Sequence, residues 1–169
     1  LSDFVVQNFV DKAVKEHWQK LGVIPSDLCS DEVFIRRAFL DSIGTLPVRE
    51  KVEAFLASDK PDKREQLVDE LLGLTGDSAR DIYVSDWSAY WALKWSDLLR
   101  NNRNKVGDGG MWALYNWMRA SFRENKPFDQ FATELITARG RPDTNPAVSW
   151  YRAVSDPKDQ MADIAQVFL

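Results

Sequence analysis

Residues 87–117 hold five of the chain's seven tryptophans. Trp87, Trp91 and Trp95 recur every fourth residue, and Trp112 and Trp117 follow across a polar, glycine-rich stretch. On a helical wheel Tyr83, Trp87, Tyr90, Trp91, Trp95 and Leu98 share one broad face. The opposite face carries Ser85, Ser88, Ala89, Ala92 and Ser96, small enough to admit another helix or water. Two readings compete: the packing centre of the fold, or a partly open aromatic pocket. Each large ring can remove roughly 150–250 Å² from water, at about 25 cal/mol per Å². Leaving three such rings exposed forfeits a gross term comparable to a typical net stability of ~5–15 kcal/mol. Energetics therefore favours packing, with Lys94, in the middle of the stripe, running its stem along the rings to water or meeting a carboxylate, and cation–π contact with Trp91 or Trp87 adding to either.

The rest of the chain agrees with a helical body. Its 169 residues fit one domain, residues 1–169, with enough length to bury a core. Apolar residues make up 44% and Gly and Pro number only eight and seven, which argues against a disordered chain. The net charge of −4 suits nucleic acid poorly, because phosphate binding draws on clustered Lys and Arg. No apolar run is long enough to span a bilayer, so no transmembrane segment is expected. The single cysteine, Cys29, excludes an internal disulfide. The start lacks the basic and apolar segments of a signal peptide and reads as the interior of something longer.

Apolar spacing predicts a first helix from Phe4 to Leu21, capped by Ser2 or Asp3 and stopped by Gly22, with residues 1–22 peripheral. A second helix is opened by Ser30-Asp31-Glu32-Val33 and ended by Gly44, and further helices are expected over Val48–Ala57, Asp62–Leu72 and Ser78–Asn101. Asn101 to Gly110 reads as an exposed loop. Helices over Met111–Arg123 and Phe128–Ala138 follow, then a short piece over Pro146–Val154. A last helix over Lys158–Leu169 is capped by Asp156 with Pro157 at its first position. No convincing strand alternates. The expected fold is all-α, a compact irregular bundle of about seven to nine helices.

Few residues suggest chemistry. Asp86 and Asp97 flank the aromatic face, but eleven residues of helix separate them by roughly 16 Å, beyond the about 5–9.5 Å of glycosidase pairs. His17 is the only histidine, so no site needing two exists, and His/Cys zinc clusters are absent. No catalytic or metal-binding residue is assigned. The ligand-binding candidates are Trp87, Trp91, Trp95, Trp112 and, in the positive spot beside the glycines, Arg103. Arg36, Arg37 and Asp41 read as a structural polar network, Arg37 and Asp41 pairing one turn apart.

The run Phe34-Ile35-Arg36-Arg37-Ala38-Phe39-Leu40-Asp41-Ser42-Ile43-Gly44-Thr45-Leu46-Pro47 resembles the opening signature of a planctomycete-type, cytochrome-c-associated family (domain of unknown function fifteen-forty-nine). Val52 to Leu56, Arg64 to Leu72, Tyr90-Trp91 with Trp95 to Leu98, Asn125 to Phe131 and Ala162 to Leu169 match in order. The resemblance implies a large exported protein of the bacterial periplasm or cell envelope. In that family a glycine and a Cys-x-x-Cys-His haem-attachment segment normally follow the stretch matching Gln166 to Leu169. No cofactor is therefore expected in this chain, with haem in a following module. Neighbouring modules of the same polypeptide are the expected partners. The leading reading is a non-catalytic helical scaffold or interaction domain; the alternative is a binding or enzymatic domain whose aromatic pocket takes a carbohydrate or other envelope ligand.

Overall fold

The structure, a computed structural model, describes residues 4–168. Among them are nine α-helices and one 3-10 turn, with no strand. The helices are α1 (Phe9–Leu21), α2 (Asp31–Ile43), α3 (Arg49–Leu56), α4 (Lys63–Leu72), α5 (Val84–Leu98), α6 (Arg103–Arg123), α7 (Phe128–Ile136), α8 (Trp150–Ala153) and α9 (Pro157–Phe168). The 3-10 turn, Pro146–Ser149, leads directly into α8. The all-α expectation holds, and most boundaries fall within two residues of those expected.

Three elements depart from expectation, each through a local hydrogen bond or backbone requirement. The first helix starts at Phe9, because the Asn8 side chain accepts from the Val10 and Asp11 amides at 2.9 and 3.0 Å. Ser2 and Asp3, the expected caps, lie outside the described residues. Phe4 instead folds back edge-on against Trp18, 5.4 Å between centroids. α1 itself contributes no buried residue.

α5 is shorter than expected. The chain ahead of it is held in turns: the Thr75 hydroxyl donates to Asp81 Oδ1 at 2.6 Å, and the Ala79 amide donates to Asp77 Oδ1 at 2.9 Å. At its other end Arg100 takes φ 53°, outside helical geometry. This turn sends its guanidinium to Asp163, a 97%-buried acid on α9, at 2.5 Å.

The expected loop over Asn101–Gly110 is largely helix. Asn102 Oδ1 caps it by accepting from the Lys105 amide at 3.2 Å. Val106 anchors it by burying its side chain. Gly107, at φ 73° and ψ 164°, then kinks α6 in a conformation that only glycine adopts readily. Polar composition concealed a helix held by one cap and one apolar residue.

Two clusters make up the core. Ile35, Phe39 and Ile43, one helical turn apart on α2, pack with Phe55 of α3 and with Leu67 and Leu71 of α4. Leu114 and Met118 of α6 pack with Phe131 and Leu135 of α7, Ala147 and Trp150. α5 joins them: Trp87 and the preceding Tyr83 lie against the first cluster, and Ala92, Trp95 and the following Leu99 belong with the second.

The orientation of α5 is the main surprise. Its fully buried face is the small one, Ser88, Ala92 and Ser96, against which α6 packs. The tryptophan face is only half-buried. Small side chains let two backbones approach, and the large rings then wedge at the margins of that contact. The tryptophan with no exposed surface at all is Trp150, on the short α8.

Ion pairs fasten the first cluster. Asp31, at the start of α2, meets Lys63 and Arg64 of α4, both at 2.7 Å. Glu70 of α4 meets Lys51 of α3 at 2.5 Å and Arg80 at 3.2 Å. The expected network of Arg36, Arg37 and Asp41 is not what holds this region. All three are exposed, and no Arg37–Asp41 ion pair forms among the described residues. The partners that α2 uses lie some thirty residues away (Asp31 to Arg64, a separation of 33), where spacing along one helix gives no sign of them.

Candidate functional site

An open groove of about 540 Å³ runs between α5 and α6, with the end of α2 as its third side. α5 supplies Asp86, Ala89, Tyr90, Leu93 and Ser96; α6 supplies Met111, Trp112 and Tyr115. Ile43, Gly44 and Thr45 close one end and Asn101 lies in the lining. Its volume falls in the roughly 300–1,000 Å³ range of small-ligand sites.

Each wall has a local cause. Gly44 ends α2 at φ 71°, and a Cβ there would stand 2.3 Å from Tyr90 Cδ2. Glycine thus both turns the chain and lets the Tyr90 ring lie across the helix end. The Tyr115 hydroxyl reaches towards the Ala89 carbonyl, a long contact of 3.5 Å. Trp112 stands perpendicular to Tyr115, centroids 5.8 Å apart, and is 57% exposed. Asn101 Nδ2 donates to the Met111 carbonyl at 3.0 Å and fastens the α5–α6 connection.

The groove's electrostatics are simple. Asp86 is its single carboxylate, and neither lysine nor arginine lines it. Lys94 stands with its ammonium 5.3 Å above the Tyr90 ring. Lys94 is exposed, as a stem along the rings with its head in water requires, and the ring beneath its ammonium is Tyr90, not the expected Trp87 or Trp91.

The candidate residues separate. Trp112 lines the groove. Trp87, Trp91 and Trp95 do not. Trp87 meets Phe122 edge-on at 6.0 Å, and Trp91 Nε1 donates to the Ser42 carbonyl at 3.1 Å. Trp95 packs on Phe131 at 5.1 Å. Arg103 is exposed at the start of α6, paired with Asp108 at 3.2 Å, away from the groove lining. Sequence reasoning missed Tyr90, Tyr115 and Asn101 as groove residues. The i, i+3 spacing of Trp112 and Tyr115 was the available signal for one of them.

A second surface is apolar and lies where α5, α7 and α9 meet. Phe128 is 58% exposed and Leu98 54% exposed. Trp95, Phe128 and Phe168 form a mutual ring contact, with centroids 5.9, 6.0 and 6.2 Å apart. Leu98 lies one helical turn beyond Trp95 on α5.

Among the described residues no group of three or more His, Cys, Asp and Glu is placed to hold a metal. No helix of the described residues is long and apolar enough to cross a membrane. His17 lies exposed on α1, and Cys29 is a free, half-buried thiol.

The described residues form an all-helical domain with an aromatic groove and, apart from it, a patch of partly exposed rings. The chain belongs to the PSCyt2 family, proteins of unknown function (DUF1549), whose model matches residues 9–168. No curated protein and no solved structure matches the chain.

Proposed function

We propose that the chain is a non-catalytic helical interaction domain that scaffolds neighbouring modules of an exported, cell-envelope polypeptide. The observation that carries this reading is the platform of Trp95, Leu98, Phe128 and Phe168. Leu98 and Phe128 leave more than half their surface in water beside the partly buried Trp95 and Phe168 rings, and exposed apolar surface of this kind marks contact sites. Aromatic rings are the side chains that interfaces favour at their centres. The envelope setting, and a haem-bearing module among the partners, rest on the family resemblance. The role needs no catalytic residue, and none is assigned.

Hydrogen exchange on a longer form of the polypeptide, compared with residues 1–169 alone, tests this. Amides at the start of α7 and the end of α9 exchange more slowly in the longer form. The double variant Leu98→Ser, Phe128→Ser removes that added protection while leaving the far-UV spectrum of the short form unchanged. Equal protection in the two forms would sink the proposal.

A further inference from the structure

We propose that the α5–α6 groove is a binding site for a neutral oligosaccharide, with the face of Trp112 as the stacking platform. The groove shares no residue with the apolar platform of the proposed interaction surface, so the two ideas stand independently.

The argument starts from Trp112. It is the largest exposed aromatic side chain in the described part of the chain, and it lies in a concave wall, not on a convex surface. It stands at right angles to Tyr115, three residues further along the same helix. Both rings stand on one helix and touch edge to face, so the corner exists before a ligand arrives, which lowers the ordering cost of binding. A flat, electron-rich ring that stays open to solvent accepts a ligand with a polarised C–H face.

Charge narrows the class. An anionic ligand would meet Asp86 with no lining cation to offset it. A cationic ligand would compete for the Tyr90 ring with the Lys94 ammonium, which already stands over it from outside the lining. A wholly apolar ligand would bury the Asp86 carboxylate without a partner, at a cost. A neutral sugar satisfies all three conditions. Its axial C–H face covers Trp112, and its equatorial hydroxyls donate to Asp86 and exchange hydrogen bonds with the Thr45 hydroxyl. A volume of about 540 Å³ leaves room for more than one pyranose ring.

Calorimetric titration of residues 1–169 with cellotetraose, xylotetraose, mannotetraose, maltotetraose and chitotetraose, and with choline, tests the site. At least one tetrasaccharide binds with a dissociation constant of about 10 μM to 1 mM. Trp112→Ala weakens that binding about tenfold or more, and Asp86→Asn weakens it less. Leu98→Ser leaves it unchanged. Far-UV circular dichroism shows that Trp112→Ala, a change at an exposed ring, keeps the fold. The proposal fails if no tetrasaccharide binds at about 10 mM, if Trp112→Ala binds as tightly as the parent chain, or if choline is the preferred ligand.

Discussion

Gly44 shows how much one residue decides. Its left-handed φ ends α2, a role that the pattern Ile43-Gly44 announces. Its missing Cβ also gives Tyr90 its place, which the pattern does not announce. Gly76 offers a controlled contrast: its φ is 72°, and a Cβ there would meet nothing within 4 Å. Alanine at Gly76 therefore pays only the left-handed backbone cost, about 1–2 kcal/mol. Alanine at Gly44 pays that cost and displaces the Tyr90 ring as well. Chemical denaturation of the two variants should find Gly44→Ala the less stable by at least about 1 kcal/mol. Equal losses would mean that the ring moves aside freely. The same scale explains the tryptophans. Trp91 is tied through its indole N–H to Ser42, so its ring is a strut between α5 and α2. Trp112 has no such tie and stays open.

Elements dock through contacts that no single helix reveals. α3 and α4 meet at Lys51 and Glu70, with Arg80 on the second carboxylate oxygen. Burial pushes the Glu70 carboxyl upward, and the hydrogen bonds and charges of Lys51 and Arg80 more than reverse it, leaving it below its ordinary 4.5. A carboxyl depressed in the folded state contributes stability above its unfolded value and loses it as pH falls through the folded one. Lys51→Met keeps the apolar stem and removes the charge. It should cost about 0.5–1 kcal/mol at pH 7, with the same deficit down to about pH 4.5 and a shrinking one below that. Urea titrations at pH 7 and pH 3 read this directly; a deficit as large at pH 3 would assign the effect to packing. Asp31 is lowered in the same direction by its hydrogen bonds to Lys63 and Arg64, so acid loosens both α2–α4 and α3–α4 together. At the kink of α6, local sequence misled for a physical reason. One cap at Asn102 and one buried Val106 suffice to hold a turn of helix through polar residues, and Gly107 absorbs the change of direction.

At the scale of the molecule, α5 makes two clusters into one body. Tyr83 and Trp87 complete the cluster of α2–α4, while Trp95 and Ala92 belong to that of α6–α8. Both clusters pack against this helix, so their unfolding is coupled. Tryptophan fluorescence and far-UV circular dichroism should report one coincident transition in urea; two separated midpoints would show that α5 does not couple the halves. The helical character of the chain, nearly all its helix positions and its family were legible in the residues. These rest on short-range causes: apolar spacing, Asn, Asp and Gly caps, and ordered local motifs. Which face of α5 is innermost was not legible. Hydrophobicity pointed to the indoles, but Ser88, Ala92 and Ser96 allow α6 to come close, and a close backbone contact leaves the rings at its edges. Packing between helices thus made three tryptophans into struts and left the fourth, Trp112, facing solvent in a groove. That choice depends on partners far apart along the chain, and only the assembled fold brings them together.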